Sequence, residues 1–556
     1  MTRAFARWTL LVGTLALAAC GSDPNPPDTV DCSAVAPVSL NAGQFTILDA
    51  SETACVRIPG AGAQETEYLY VALSANGTVT RNGNAAPYEL QGGQSPSAAV
   101  AAMSQAVFDK ASPAALAFHD MLRARERTLA QQPSAVSAAR ARISASVAAA
   151  VPPAVNSQRS FDVCATTTCD SFVTSTATAK VVSQRVAIYL DNDAPVGYTQ
   201  SELDELGALF DAHLYSIDTT AFGRESDLDD NGVVIVLLTQ HVNDLSPDCN
   251  TTGSFILGFF FGLDLLPSEP HSNDGEVFYG AVPRPDSPGC SAYTKTNVTE
   301  SQPGVFVHEF QHMISFNQHV LVRGGNVEET WLNEGLSHYA EELAARQVPD
   351  NFCPTFAQCE DEFLKDNLFD AYAYLDDPES AFLVAPSTSG GTLEERGAAW
   401  LFVRWLGDHF AASQPLAPEV TRGLVLTNLT GAANVEHVTG VDFPTLVSQW
   451  QLANYLTNLA GFTPSSDRLR YTSFDLRATY LANYPSVFAK PYPLTPDSTR
   501  NGAYDRTGLL RAGSARHVRI IQPPGSSEVA FILTDGAGSI PLAAGVVPRI
   551  ALARVK

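Results

Sequence analysis

The stretch GVFVHEFQHMISFNQH, residues 304–319, places His308 and His312 four residues apart with Glu309 between them. On an α-helix, residues at i and i+4 lie on one face, with Cβ atoms about 5–6 Å apart. Their imidazole nitrogens can therefore reach one metal ion at about 2.0–2.1 Å. Glu309 is rotated about 100° from His308, so it can reach a water on that ion. The pattern predicts a helix that carries two metal ligands and a general base.

The segment GGNVEETWLNEGLSHYAEELAARQ, residues 324–347, is expected to supply a third ligand. A Gly-Gly pair ends the first helix, and a second helix carries Glu334, with 21 residues separating it from His312. A catalytic zinc site needs a third protein ligand and an open position for water. The residues alone leave His338 or Glu329 open as alternatives to Glu334.

These motifs resemble those of gluzincins, the thermolysin-like zinc peptidases, and among them most closely the hyicolysin family. The resemblance spans roughly 160–410 and rests on QRVAIYLDND, DLDDNGVVIVLLT, SNDGEVFYGAVP, HEFQHMISF, WLNEGLSHYAEEL and RGAAWLFVRWL. It implies an α+β fold in which a thermolysin-like catalytic domain combines a mixed β-sheet with a helical lobe. The spacer before Glu334 is slightly longer than in thermolysin.

The same resemblance implies zinc held by His308, His312 and Glu334, with Glu309 as the base that activates water. The implied function is a zinc metalloendopeptidase acting on extracellular proteins or peptides. An aminopeptidase is an alternative, although no GAMEN-like stretch precedes His308. A second alternative is a catalytically inactive, peptidase-fold surface lipoprotein that binds proteins. The oxyanion donor stays open among Tyr339, Tyr372, Tyr374 and His409.

The amino terminus MTRAFARWTLLVGTLALAAC combines basic residues with an apolar run too short to span a bilayer as a mature helix. It resembles a bacterial lipoprotein signal, which implies removal of 1–19 and lipid attachment at Cys20. We therefore expect an exported chain, anchored by lipid at the outer membrane or cell surface, with no transmembrane helix in the mature protein. Secretion without lipid is the alternative.

Eight cysteines remain besides Cys20. An even set in an exported protein predicts disulfides. Sequence neighbours give the pairs Cys32–Cys55, Cys164–Cys169, Cys249–Cys290 and Cys353–Cys359. A zinc-cysteine site is the rival hypothesis, but the chain has no CxxC pair.

Composition and pattern divide the 556 residues further. A net charge of −25 argues against nucleic acid as a partner. After a tether at 20–31 we expect an N-terminal β module at 32–92 and an Ala-rich helical connector or propeptide at 93–157. The metallopeptidase domain is expected at 158–470 and a C-terminal β module at 471–556.

Two further segments suggest additional binding features. DLDDNG, residues 227–232, begins like a calcium loop, but its twelfth position is Leu238, so the EF-hand glutamate is missing. A turn is the favoured interpretation, with a calcium site of another type as the alternative. The alternating strand 276–283 could form a sheet edge to which an extended peptide adds as a further strand, with one more strand of the core sheet as the alternative.

Overall fold

The structure is a computed structural model that describes residues 32–93, 114–145, 150–253, 255–284, 289–353, 359–389, 391–536, 542 and 545–556. The predicted signal peptide, the tether and Cys20 lie outside these residues, as do most of 93–113 and residues 146–149.

The described residues form strands and helices in the following order. The strands are β1 (Phe45–Asp49), β2 (Cys55–Ile58), β3 (Thr66–Ser74), β4 (Ala85–Gly93), β5 (Gln158–Cys164), β6 (Phe172–Val182), β7 (Val186–Asp191), β8 (Val234–Leu238), β9 (Gly258–Phe260), β10 (Val277–Gly280), β11 (Asp497–Arg500), β12 (Tyr504–Arg511), β13 (Ala515–Gln522), β14 (Val529–Asp535) and β15 (Pro548–Arg554). The helices are α1 (Ala114–Ala130), α2 (Pro133–Ala145), α3 (Gln200–Leu209), α4 (Tyr215–Ala221), α5 (Gln240–Asp244), α6 (Cys249–Thr252), α7 (Lys295–Phe316), α8 (Thr330–Gln347), α9 (Cys359–Asp376), α10 (Leu393–Phe410), α11 (Pro418–Val425), α12 (Gly431–Thr439), α13 (Phe443–Leu456) and α14 (Leu476–Ala482).

A six-stranded sheet in the order β5-β6-β7-β8-β10-β9 supports the candidate site. Strands β7, β8 and β10 are parallel, whereas β5, β6 and β9 join antiparallel. All five residues of β8 are buried, as expected for a central strand covered on both faces. The mixed sheet expected from the resemblance is therefore present.

The edge position suggested for 276–283 is wrong, and the alternative, a strand within the sheet, is confirmed. The segment 276–283 contributes β10, which lies between β8 and β9, and the sheet ends at the three-residue strand β9. The residues around β9 form an apolar run without clear alternation, so their pattern does not indicate an edge strand. The short length of β9 nevertheless suits an edge position.

Helices α7 to α10 pack together as the helical lobe beside this sheet. Helix α7 continues into a π-helical segment, Asn317–Val322, before the chain turns back into α8. The crossing of α9 and α10 is close at Gly397, because a Cβ there would lie 2.3 Å from the carbonyl carbon of Asp370. Glycine is thus required where the two backbones meet.

The two expected β modules are parts of one β-sandwich, which corrects the sequence-based division. One sheet has the order β1-β15-β3-β13-β11 and the other β12-β4-β14-β2, so each contains strands from both ends of the chain. Side chains of both sheets share one buried cluster, including Tyr70, Leu90 and Phe531. Strands separated by more than 400 residues cannot be paired from local pattern alone.

The Ala-rich segment is helical over residues 114–145, which form α1 and α2, whereas residues 150–157 of the same segment are not helical. Helix α1 lies against the edge of the six-stranded sheet, since the ring of Phe118 packs edge-on against Phe259 with centroids 5.0 Å apart. Helix α2 contacts the π-helical segment that follows α7.

The four predicted disulfides are confirmed: Cys32–Cys55, Cys164–Cys169, Cys249–Cys290 and Cys353–Cys359. Among the described residues, every helix is too short or too polar to cross a lipid bilayer.

Candidate metal centre

Helix α7 brings His308, Glu309 and His312 into the interior. These side chains are almost fully buried, with 8%, 4% and 2% of each residue exposed, respectively. Phe306, Phe310 and their apolar neighbours fix the helix in the core, which leaves the two imidazoles on the face toward α8. Buried imidazoles need polar partners, and helix α8 supplies them.

Glu334 of α8 faces both histidines. Its Oε2 lies 3.7 Å from His308 Nε2 and its Oε1 lies 3.7 Å from His312 Nε2. One ligand atom from each of the three residues lies within 4.8 Å of the other two. Ligand atoms about 2.0–2.2 Å from a shared tetrahedral ion would be separated by a little over 3 Å, so the spacing fits a zinc ion.

The charges in this cluster also fit a metal ion. Glu334 Oε2 is buried and accepts no hydrogen bond, although Arg396 Nη1 approaches it at 3.3 Å. Burial alone would raise the pKa of Glu334, but Arg396 and the histidines hold it well below its ordinary value. Burial and Arg123 lower the pKa of His312 far below 6.5, so this ring is neutral, as a ligand must be.

The pKa of His308 shifts in the opposite direction to that of His312. Burial would lower its pKa, but the carboxylates of Glu334 and Glu341 outweigh burial and raise the pKa to about 10. A metal ion that binds His308 therefore has to displace a proton.

Glu341 orients His308 from the side opposite Glu334. Its Oε1 lies 2.6 Å from His308 Nδ1 and 3.4 Å from His338 Nδ1. Such carboxylate–histidine pairs fix the ring and its tautomer at metal sites. This contact is not among those predicted from the sequence, although Glu341 follows Glu334 by seven residues and hence lies two helical turns further along the same face.

The alternative third ligands lie elsewhere or beside the cluster. Glu329 accepts a hydrogen bond from the indole of Trp331 at 2.8 Å. His338 Nδ1 contacts Asn367 Oδ1 at 2.7 Å, and its Nε2 has no hydrogen-bond partner. His338 packs against His308 and forms a second possible metal-binding group with it and Glu341.

Glu309 lies between the cluster and the edge strand. Its Oε2 accepts a hydrogen bond from the Phe260 backbone N–H at 2.7 Å. Burial raises its pKa, which the nearby charges of His308 and Arg123 partly oppose. A carboxylate whose pKa is raised is a stronger base, which suits proton transfer.

The four candidate oxyanion donors have other partners. Tyr339 Oη donates to Pro415 O, Tyr372 Oη accepts from the Lys490 N–H, Tyr374 Oη accepts from Gln451 and His409 Nε2 contacts Arg470 O. These contacts give no support to any of the four residues as the oxyanion donor.

The DLDDNG segment forms a turn, as favoured. Asp227, Asp229 and Glu276 lie close enough to share a cation, but each carboxylate already accepts protein hydrogen bonds. The guanidinium of Arg159 lies 3.2 Å from Asp229. A cation would have to compete with these hydrogen-bond donors and with the Arg159 guanidinium, so these residues do not support a calcium site.

Comparison with known proteins agrees with the site at a coarse level. The chain is similar to the neutral metalloprotease ShpI of Staphylococcus hyicus, with 31% identity over 155 residues. The match covers 28% of this chain and 33% of that protein, so the chain spans about a third of the length of its curated relative. No family model matches the chain. The similarity and the buried His-His-Glu group together support a metallopeptidase relationship.

Proposed function

We propose that the protein is a zinc-dependent metallopeptidase that hydrolyses peptide bonds of extracellular proteins. The observation that carries this proposal is the convergence of His308, His312 and Glu334 in one buried cluster, with Glu309 beside it. A zinc ion, when bound, supplies Lewis-acid activation of a water and of the peptide carbonyl.

In this mechanism each residue has one task. His308, His312 and Glu334 hold the metal, and Glu341 keeps the His308 ring oriented. Glu309 takes a proton from the attacking water and passes it to the leaving amine. Burial raises the pKa of Glu309 above its ordinary value, which strengthens it as the base that accepts this proton.

The central test is hydrolysis of casein and of an internally quenched peptide by the wild type and by Glu309→Gln. We expect the rate of hydrolysis by the variant to be about 10²–10⁴-fold lower, which is the usual contribution of a general base. A chelator should abolish wild-type activity and zinc should restore it. Wild-type activity in Glu309→Gln, or activity that survives complete metal removal, would contradict the mechanism.

The same assay separates the alternatives. A peptide blocked at both termini is a substrate for an endopeptidase only, so cleavage of free amino termini alone would favour an aminopeptidase. A chain that holds zinc, binds proteins and cleaves no peptide would favour the inactive binding lipoprotein.

We also propose that the chain is exported and held at the bacterial surface by lipid on Cys20. The four disulfides support an oxidising compartment. Membrane fractions of cells expressing the wild type and Cys20→Ser test this, because only the wild type should carry the lipid-modified amino terminus by mass spectrometry. Equal release of both proteins into the medium would contradict the anchor.

A further inference from the structure

The candidate catalytic groups are closed off from a protein substrate. Glu309 is only 4% exposed, yet as the proposed general base it would have to lie within reach of a scissile peptide. Helix α1 is one of the elements that covers this region.

Edge strand β9 carries the backbone positions where an extended peptide could pair. The Ala281 N–H donates to Leu257 O. Hydrogen-bonded positions alternate along an antiparallel pair, so the backbone N–H and C=O of Phe259 point toward β10 and those of Phe260 point outward, away from the sheet. The Phe260 carbonyl accepts a hydrogen bond from Arg123 Nη2 at 2.6 Å. Its N–H is held by Glu309. Both pairing groups of Phe260 are thus occupied, one of them by helix α1.

Further contacts fix α1 in this position. Glu126 Oε1 accepts from the Gly262 N–H at 2.8 Å and lies 3.2 Å from Arg123 Nη2. Arg123 and Glu126 are 4% and 2% exposed, so this is a buried ion pair on the strand. Phe118 covers Phe259 one step along β9.

We propose that helices α1 and α2 form a blocking segment, residues 114–145, which occupies the peptide-binding side of β9 and keeps the enzyme latent until it is displaced. The inference rests on the proposed peptidase function. Charge favours this occupant, since five arginines against two acidic residues give the segment a net +3 (5 − 2), whereas the whole chain carries −25.

The surrounding fold permits release of the segment. Strands β3 and β4 are paired with β13, β14 and β15, so residues 32–93 belong to the sandwich independently of the peptide link through 94–157. On the other side, Val151 and Val155 are 76% and 55% exposed, which makes this stretch accessible to a protease.

The experiment uses the full chain with recognition sequences for a specific protease inserted within 94–113 and within 150–157. Hydrolysis of a quenched peptide is measured before cutting, after cutting, and after removal of the segment at high salt. Hydrogen exchange of 258–262 is followed in the same samples. We expect exchange at β9 and activity to rise on removal, the latter by about tenfold or more, since a buried charge-assisted contact is lost.

Binding is measured with the synthetic peptide 114–145 and the cut Glu309→Gln protein, which does not digest the peptide. An Arg123→Ala peptide should bind about tenfold more weakly, whereas an Arg142→Ala peptide should bind within about twofold of the parent. Arg142 is the matched control because its ion pair with Asp274 is largely solvent-exposed, at 41% and 46% of the two side chains. In the uncut chain, Arg123→Ala should raise activity and Arg142→Ala should leave it unchanged.

The outcomes separate the two proposals. Equal hydrolysis by uncut and freed protein, with no effect of Arg123→Ala, would overturn the blocking role and leave the peptidase function standing. A peptide that binds and protects 258–262 while neither form hydrolyses any substrate would overturn the peptidase function and leave the blocking contact standing. Binding without protection of β9 would refute the proposed location.

Discussion

Removing the Glu341 carboxylate measures how far the metal site depends on its supporting contacts. Glu341 lies 2.6 Å from His308 Nδ1 and is buried, so no water replaces it without rearrangement. Loss of such a partner costs about 10–100-fold in metal affinity, or about 1.4–2.8 kcal/mol. Glu341→Gln keeps an acceptor for the ring N–H, so its loss of metal affinity should lie at the lower end of this range. The loss of metal affinity in Glu341→Ala should lie at the upper end.

A proton effect opposes part of this loss. In the metal-free protein, Glu341 helps to raise the pKa of His308 to about 10, so the wild type must displace a proton that the variants hold less firmly. The variants' deficit in zinc affinity should therefore grow as pH rises, and its full size is expected only above about pH 10, where His308 of the wild type has also lost its proton.

The assay is competition for zinc against a chromophoric chelator at neutral pH and at a pH above about 10. Glu300→Gln serves as the control because Glu300 lies on the same helix α7 and is only half-buried. Unfolding of the metal-free proteins shows whether the variants stay folded. Unchanged zinc affinity of folded Glu341→Ala at the higher pH would refute the role of this carboxylate.

Three further predictions concern the fold that holds the site. Gly397→Ala should destabilise the protein by about 1–3 kcal/mol, because the new methyl group meets the backbone of α9; Gly304→Ala, with open space around it, should be neutral or stabilising by thermal melting. Replacing Cys249 and Cys290 by alanine opens a link across 41 residues and should lower the free energy of unfolding by about 4 kcal/mol in urea titrations. Burial raises the pKa of Glu276 to about 8, so between about pH 4.5 and pH 8 the folded state holds a proton that the unfolded state has lost, and the contribution of Glu276 to the free energy of unfolding falls as pH rises. Glu276→Gln should flatten the fall of the free energy of unfolding with pH over this range. An unchanged dependence on pH would contradict the raised pKa.

The local chemistry of the site could be predicted from the sequence. The spacing of His308 and His312 follows from helix geometry, whereas the choice of Glu334 over His338 or Glu329 depended on the resemblance to gluzincins; in the structure Glu334 faces both histidines. The disulfides were predictable because each cysteine pairs with its neighbour in the sequence. These features depend on short-range geometry.

Features that depend on distant pairing were not predictable. The sandwich joins β3 to β13 and β15 across more than 400 residues, so the two ends read as separate modules. The edge position of β9 depends on where β10 pairs, which its alternating pattern does not show. The contact of Arg123 with Phe260 joins two segments more than 100 residues apart and leaves no local signal.

Zinc content of the purified protein tests the central claim most directly. Elemental analysis after dialysis should give about one zinc ion per chain for the wild type and for Glu309→Gln, since the base is not a ligand. Glu334→Ala, folded by circular dichroism, should lose most of the bound zinc. Stoichiometric zinc in Glu334→Ala would contradict a site built from His308, His312 and Glu334.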